Sequence, residues 1–218
     1  SGWLGLKCGP DLFEGVAVFS IIQAAGWPIW FLLVASVIAV ALIIERAAAL
    51  RRAKVVPDGL LQTVAAELKR GTMGDEALRR LEAHSPLGRV FAAGLRNSRS
   101  SREVMKEAIE EAGRGAAHDL GRFLTSLGTI ASISPLMGLF GTIVGMIEIF
   151  GSATGAGNNP QALAHGISVA LYNTGFGLLI AIPAMIFYRH FRAVVDGFIV
   201  EMEQQAVKLV ELAHGERS

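Results

Sequence analysis

Asn173 and Thr174 lie in the middle of an apolar run, Leu163 to Tyr188, that contains no Asp, Glu, Lys or Arg. Thr142 has a similar place in a second run, 123–150, whose one acid is Glu148 near its far end. A carboxamide and two hydroxyls can bind an ion, a water or a carboxylate, but none of them titrates usefully near neutral pH. At membrane depth such groups need partners, because hydrocarbon offers none. Two uses are open. The hydroxyl of Thr174 bonds back to a carbonyl one turn earlier and serves packing, or Asn173 and Thr174 face a polar, ion-conducting seam. A proton path normally requires an ionisable group at depth. Neither run supplies one near its middle, so on the second reading the carboxylate must come from a second protein. One charge moving through 100 mV releases about 2.3 kcal/mol, so a few ions can drive a conformational step.

Other chemistries find little support. Cys8 is the single cysteine, which excludes a disulfide framework or a thiolate metal site. The five histidines (84, 118, 165, 190 and 214) form no His-x-x-x-His pair. No phosphate loop, nucleophile triad or zinc spacing is present, so no metal, no cofactor and no enzyme activity is expected. A net charge of +1 gives no nucleic-acid surface. Of the 218 residues 52% are hydrophobic and only 18% charged, against about 25% in soluble domains. With a mean hydropathy of +0.46, and the apolar residues gathered in runs, the chain reads as an all-α membrane protein.

Three spans must position these groups. Residues 1–18 have no periodicity and are read as a tag or disordered N-terminus. An interfacial start at 19–26 leads into a first transmembrane helix ending at Glu45, with Trp27, Trp30 and Phe31 as its aromatic anchor. Its apolar face and lone Ser36 suit a lipid-facing scaffold. Arg46, Arg51, Arg52 and Lys54 follow and mark the cytoplasmic side. Residues 46–122 form a cytoplasmic domain of amphipathic helices, broken at Gly71–Gly74 and at Ser85-Pro86.

The second span, 123–150, would be about 40 Å long as a helix, more than the hydrocarbon core, so it tilts or projects inward. Thr125, Thr129 and Ser132 make a polar stripe on its inner half. Gly138, Gly141, Thr142 and Gly145 continue a small-residue face outward, where another helix can approach closely. Pro135 removes one backbone hydrogen bond. A short loop, 151–162, contains no Lys or Arg and is therefore read as lying outside. The third span, 163–190, carries Gly166, Ala170, Asn173 or Thr174, Gly177, Ala181 and Ala184 on one stripe. It is expected to continue as a single helix into the cytoplasmic segment 191–218. Of the 20 Lys and Arg, 18 fall in the two predicted cytoplasmic segments, Arg189 stands at the inner end of the third span and the other is Lys7, which places the N-terminus outside. Two spans with small polar faces cannot enclose a pathway alone, but several copies in a ring can.

The segments Ser-Pro-Leu-Met-Gly-Leu-Phe-Gly-Thr-Ile-Val-Gly-Met-Ile (134–147) and Gly-Ile-Ser-Val-Ala-Leu-Tyr-Asn-Thr-Gly-Phe-Gly-Leu-Leu-Ile-Ala-Ile-Pro-Ala (166–184) resemble the two signature helices of the MotA/TolQ/ExbB ion-channel family, closest to ExbB and TolQ. The resemblance covers about residues 19–214. It implies a homo-oligomeric ring, a pentamer, in the inner membrane of a bacterial cell. The pore would hold a dimer of a single-span ExbD/TolR-like partner whose transmembrane Asp carries the proton. It also implies that the family's pore-lining threonines fall on Thr142 and Thr174. The motor would convert proton motive force into work at the outer membrane, through a TonB-like protein in the ExbB branch. Val169 stands where these proteins usually carry a Glu, which leaves sodium, Tol-type envelope maintenance or gliding motility open. A non-conducting membrane scaffold is the reading from another class.

Overall fold

The computed structural model describes residues 27–153 and 160–214. The segments read as an N-terminal tag and an interfacial start lie outside them, as does Cys8. All regular structure among the described residues is helical: α1 (Pro28–Ala49), α2 (Arg52–Val55), α3 (Leu60–Arg70), α4 (Asp75–His84), α5 (Pro86–Arg96), α6 (Arg102–Gly121), α7 (Leu124–Ala153) and α8 (Pro160–Ala213). Among the described residues three helices, α1, α7 and α8, are long and apolar enough to cross a membrane. The connection read over 151–162 is shorter than that on both sides. Helix α7 runs through Ala153 and α8 begins at Pro160, a residue whose fixed φ and missing N–H suit a first helical position. Residues 154–159 lie outside the described ones.

Two compact units form. One contains α1 up to Ala41, α7 from Leu127 and α8 up to Ile186. Within it Ile29, Leu32 and Ala39 of α1 are buried, and Trp27 meets the Phe140 ring edge-on at 6.0 Å. On α8 the stripe Ala170, Asn173, Gly177, Ala181 and Ala184 is buried. Large residues such as Val37, Leu136, Ile147, Leu179 and Ile186 face outward at more than half exposure. That inversion is the mark of a lipid-facing or partner-facing surface.

The other unit contains residues Leu42–Ser126 and α8 from Phe187 onward. Helix α5 is its centre: Leu87, Val90, Phe91 and Ala92 are 0–2% exposed. Its start is set locally. Ser85 Oγ accepts from the Gly88 N–H at 3.0 Å and Pro86 occupies the first turn, an N-cap at the predicted break. Gly71 closes α3 in the left-handed conformation at φ +67°, a C-cap that favours glycine. Ion pairs tie the layers: Arg96 to Glu82 and Arg89 to Asp119, both at 2.6 Å. Arg52 forks onto Glu201 of α8 at 2.9 and 2.6 Å. On α8 Phe191, Val195, Phe198, Met202, Ala206 and Leu209 are buried at steps of three and four, so one helical face continues down a single helix of 54 residues.

Candidate functional site

The four glycines singled out in sequence lie along the seam between α7 and α8, and their closeness to the opposite helix is graded. A Cβ on Gly177 would stand 2.5 Å from the Ser134 carbonyl oxygen and 3.1 Å from Gly138 Cα. One on Gly138 would stand 2.7 Å from the Asn173 carbonyl oxygen and 3.0 Å from Thr174 Cα. These are backbone-to-backbone contacts that only glycine permits. Gly141 is packed instead against a side chain, with Asn173 Cγ 2.8 Å from the position its Cβ would take. Gly145 is looser, at an ordinary 3.5 Å from Ala170 Cβ. Further out, Gly166 receives the Ile149 side chain. Each step forward along α7 is thus matched by a step back along α8, and the two helices run antiparallel in a single register.

That register locates the polar groups. Asn173 is 1% exposed, in the seam and under Gly141. Thr142 follows Gly141 and Thr174 follows Asn173, and one residue is a 100° turn around each helix. Because the helices are antiparallel, both turns lead to the same side of the seam. The two threonines therefore share one flank of the helix pair, within a turn of the same depth, and both are half-buried. Their hydroxyls differ. Thr142 Oγ1 donates to the Leu139 carbonyl at 2.6 Å. Ser132, Ser134 and Ser168 likewise donate to carbonyls one turn earlier, at 2.9, 2.7 and 3.0 Å. Thr174 makes no such side-chain bond among the described residues. The back-bonded use weighed for Thr174 in sequence belongs instead to Thr142.

Glu148 is exposed on α7, seven residues beyond Gly141 and hence over it, not over Thr142. Thr129 and Ser132 of the predicted polar stripe are exposed. Val169 is part of α8, and its side chain is outside the described ones. No group of three or more His, Cys, Asp or Glu able to hold a metal occurs among the described residues. Ser134 was not singled out in sequence, yet its carbonyl forms the floor against Gly177. Only its spacing of four from Gly138 could have pointed to it.

A membrane-spanning helix pair, packed through glycine and carrying hydroxyls on one flank, defines a multi-pass helical membrane protein. The chain belongs to the MotA/TolQ/ExbB proton channel family, whose sequence pattern matches residues 82–204, more than half of it. It is 34% identical over 163 residues to the biopolymer transport protein ExbB-like 3 of Synechocystis sp., covering 72% of this chain and 77% of that one. It is 32% identical over 129 residues to an ExbB homologue of Methanothermobacter thermautotrophicus, where the match takes in 59% of this chain and about half, 46%, of the relative. It is 29% identical over 200 residues to the Tol-Pal system protein TolQ of Pseudomonas aeruginosa, across 84% and 87% of the two chains.

Proposed function

We propose that this protein is the ExbB/TolQ-like stator subunit of an ion-driven motor in a bacterial inner membrane. Several copies, a pentamer, form a ring whose centre is lined by the flank that carries Thr142 and Thr174. A dimer of a single-span ExbD/TolR-like partner occupies that centre and brings the titrating Asp. Ion flow is converted into work at the outer membrane, through a TonB-like protein in nutrient import. The N-terminus is periplasmic and the C-terminus cytoplasmic, in keeping with the Lys and Arg distribution.

The observation that supports this reading is the shared flank of the two threonines, with Thr174 free to turn its hydroxyl to an ion, a water or a carboxylate. Asn173 fills the seam behind it and holds the depth of that hydroxyl. The ring supplies hydroxyls and a dry wall; it has no acid of its own at that depth. A Tol-type task in envelope maintenance is the second reading, favoured by the long match to TolQ.

The test pairs Thr174→Val with Thr142→Val in the complex purified with its single-span partner. Assembly, read as the mass of the intact complex, should be unchanged. Ion-driven work should fall at least tenfold in Thr174→Val. Full activity in both variants overturns the pore role, and motor-like proton flux through the ring without any second polypeptide overturns the partner's part.

A further inference from the structure

Where α6 gives way to α7, Phe123 stands at φ +64°. A bulky residue adopts that left-handed backbone only under constraint. The constraint comes from the inner end of α1. Arg46 is only 5% exposed. Its Nη1 donates at 3.2 Å to the carbonyl of Leu120, 74 residues away. That carbonyl belongs to the last turn of α6, where helix geometry leaves acceptors without an intrahelical donor and a cation is favoured. The Arg46 guanidinium also lies 5.5 Å from the centre of the Phe123 ring, which Arg122 flanks at 4.7 Å. Glu45 accepts from Arg46 Nε and Nη2 at 2.5 and 2.6 Å and fixes the plane of the fork. One buried side chain therefore caps a distant helix and stacks on the strained residue that follows it.

We infer that the α6–α7 turn is a latched hinge, with Arg46 as the latch. While the guanidinium is seated, Phe123 is held at positive φ. When it withdraws, Leu120 loses its cap, Phe123 relaxes to ordinary backbone, and α6 leaves the turn in another direction. Lysine cannot substitute, because its single point charge lacks the planar fork that serves the carbonyl, the ring and Glu45 together. The use of this hinge by a motor rests on the function proposed above; its existence as a hinge does not.

The experiment is hydrogen exchange on the full-length protein with its single-span partner in lipid nanodiscs. Arg46→Met and Arg46→Lys should each speed exchange of amides 119–126 at least tenfold, with amides 170–181 of the seam as protected as in the wild type. Adding Phe123→Gly to Arg46→Met should slow that exchange again by at least threefold, since glycine accepts positive φ without strain. Ion-driven work should fall at least fivefold in Arg46→Lys while passive ion flux stays within twofold. Exchange within twofold of wild type in both Arg46 variants, or loosening that spreads equally to the seam, overturns the hinge. A wild-type complex that passes no ions would overturn the proposed function and leave the exchange result standing.

Discussion

Gly141 and Asn173 use the same space: the methyl that alanine would add at 141 falls 2.8 Å from Asn173 Cγ and 2.9 Å from its Cβ. The carboxamide is buried because the facing helix has no side chain there. Either residue alone looks replaceable in sequence, but each is specified by the other.

Gly141→Ala should therefore destabilise the purified protein by about 1–3 kcal/mol, the range for overpacking a tight contact. Asn173→Ala removes Cγ and Nδ2 of the atoms that methyl strikes and keeps only Cβ, at 2.9 Å. The double variant should recover at least about 1 kcal/mol relative to the sum of the single changes, a coupling of the size found between residues in contact. Thermal unfolding in detergent for the four proteins of the cycle measures this, and additivity would refute the shared space.

Gly177→Ala meets a carbonyl oxygen and a backbone Cα, neither of which can rotate away. Its loss should be at least as large as that of Gly141→Ala, and no side-chain truncation on α7 should rescue it. Gly145→Ala, at ordinary contact distance, should change stability by less than about 0.5 kcal/mol, the usual bound for changes away from tight features. Oligomer yield by size-exclusion chromatography ranks the three.

Ser85→Ala removes the hydroxyl that caps α5 and leaves the buried Gly88 N–H without its acceptor. The expected loss is about 1 kcal/mol, within the range for N-cap serines. Ser101→Ala should lose less, because its bond to Val104 N–H is longer, at 3.4 Å, and exposed. Chemical denaturation followed by the helical circular-dichroism signal separates them.

Asp119 accepts from Arg89 at 2.6 Å, and this bond holds its carboxyl below the ordinary aspartate range. A folded-state pKa below the unfolded one means stability that is present above about pH 4. It is lost as pH falls through the folded value. The pair is exposed, so Asp119→Asn should lower stability by less than about 1 kcal/mol at pH 7. As the pH falls through the folded value the difference should shrink toward zero. A pH series of urea midpoints for both proteins checks the sign.

Much of this protein is legible without coordinates. The apolar runs, the Lys and Arg clusters, and the breaks at Gly71–Gly74 and Ser85-Pro86 give three spans and a bundle of amphipathic helices, because length, charge and capping are local properties. The small residues at three- and four-residue spacing give a helix seam for the same reason. Tertiary structure decided what local rules cannot. It set the antiparallel register that puts Asn173 beneath Gly141 and sends Thr142 and Thr174 to one flank. It gave the back-bonded hydroxyl to Thr142 and not to Thr174. It also turned Arg46, which in sequence only marks the cytoplasmic side, into a buried cap on Leu120 that holds Phe123 in a backbone no propensity would favour. These outcomes depend on which residues, distant in the chain, come within a few ångströms of each other, and helix periodicity fixes only the faces from which such contacts are chosen.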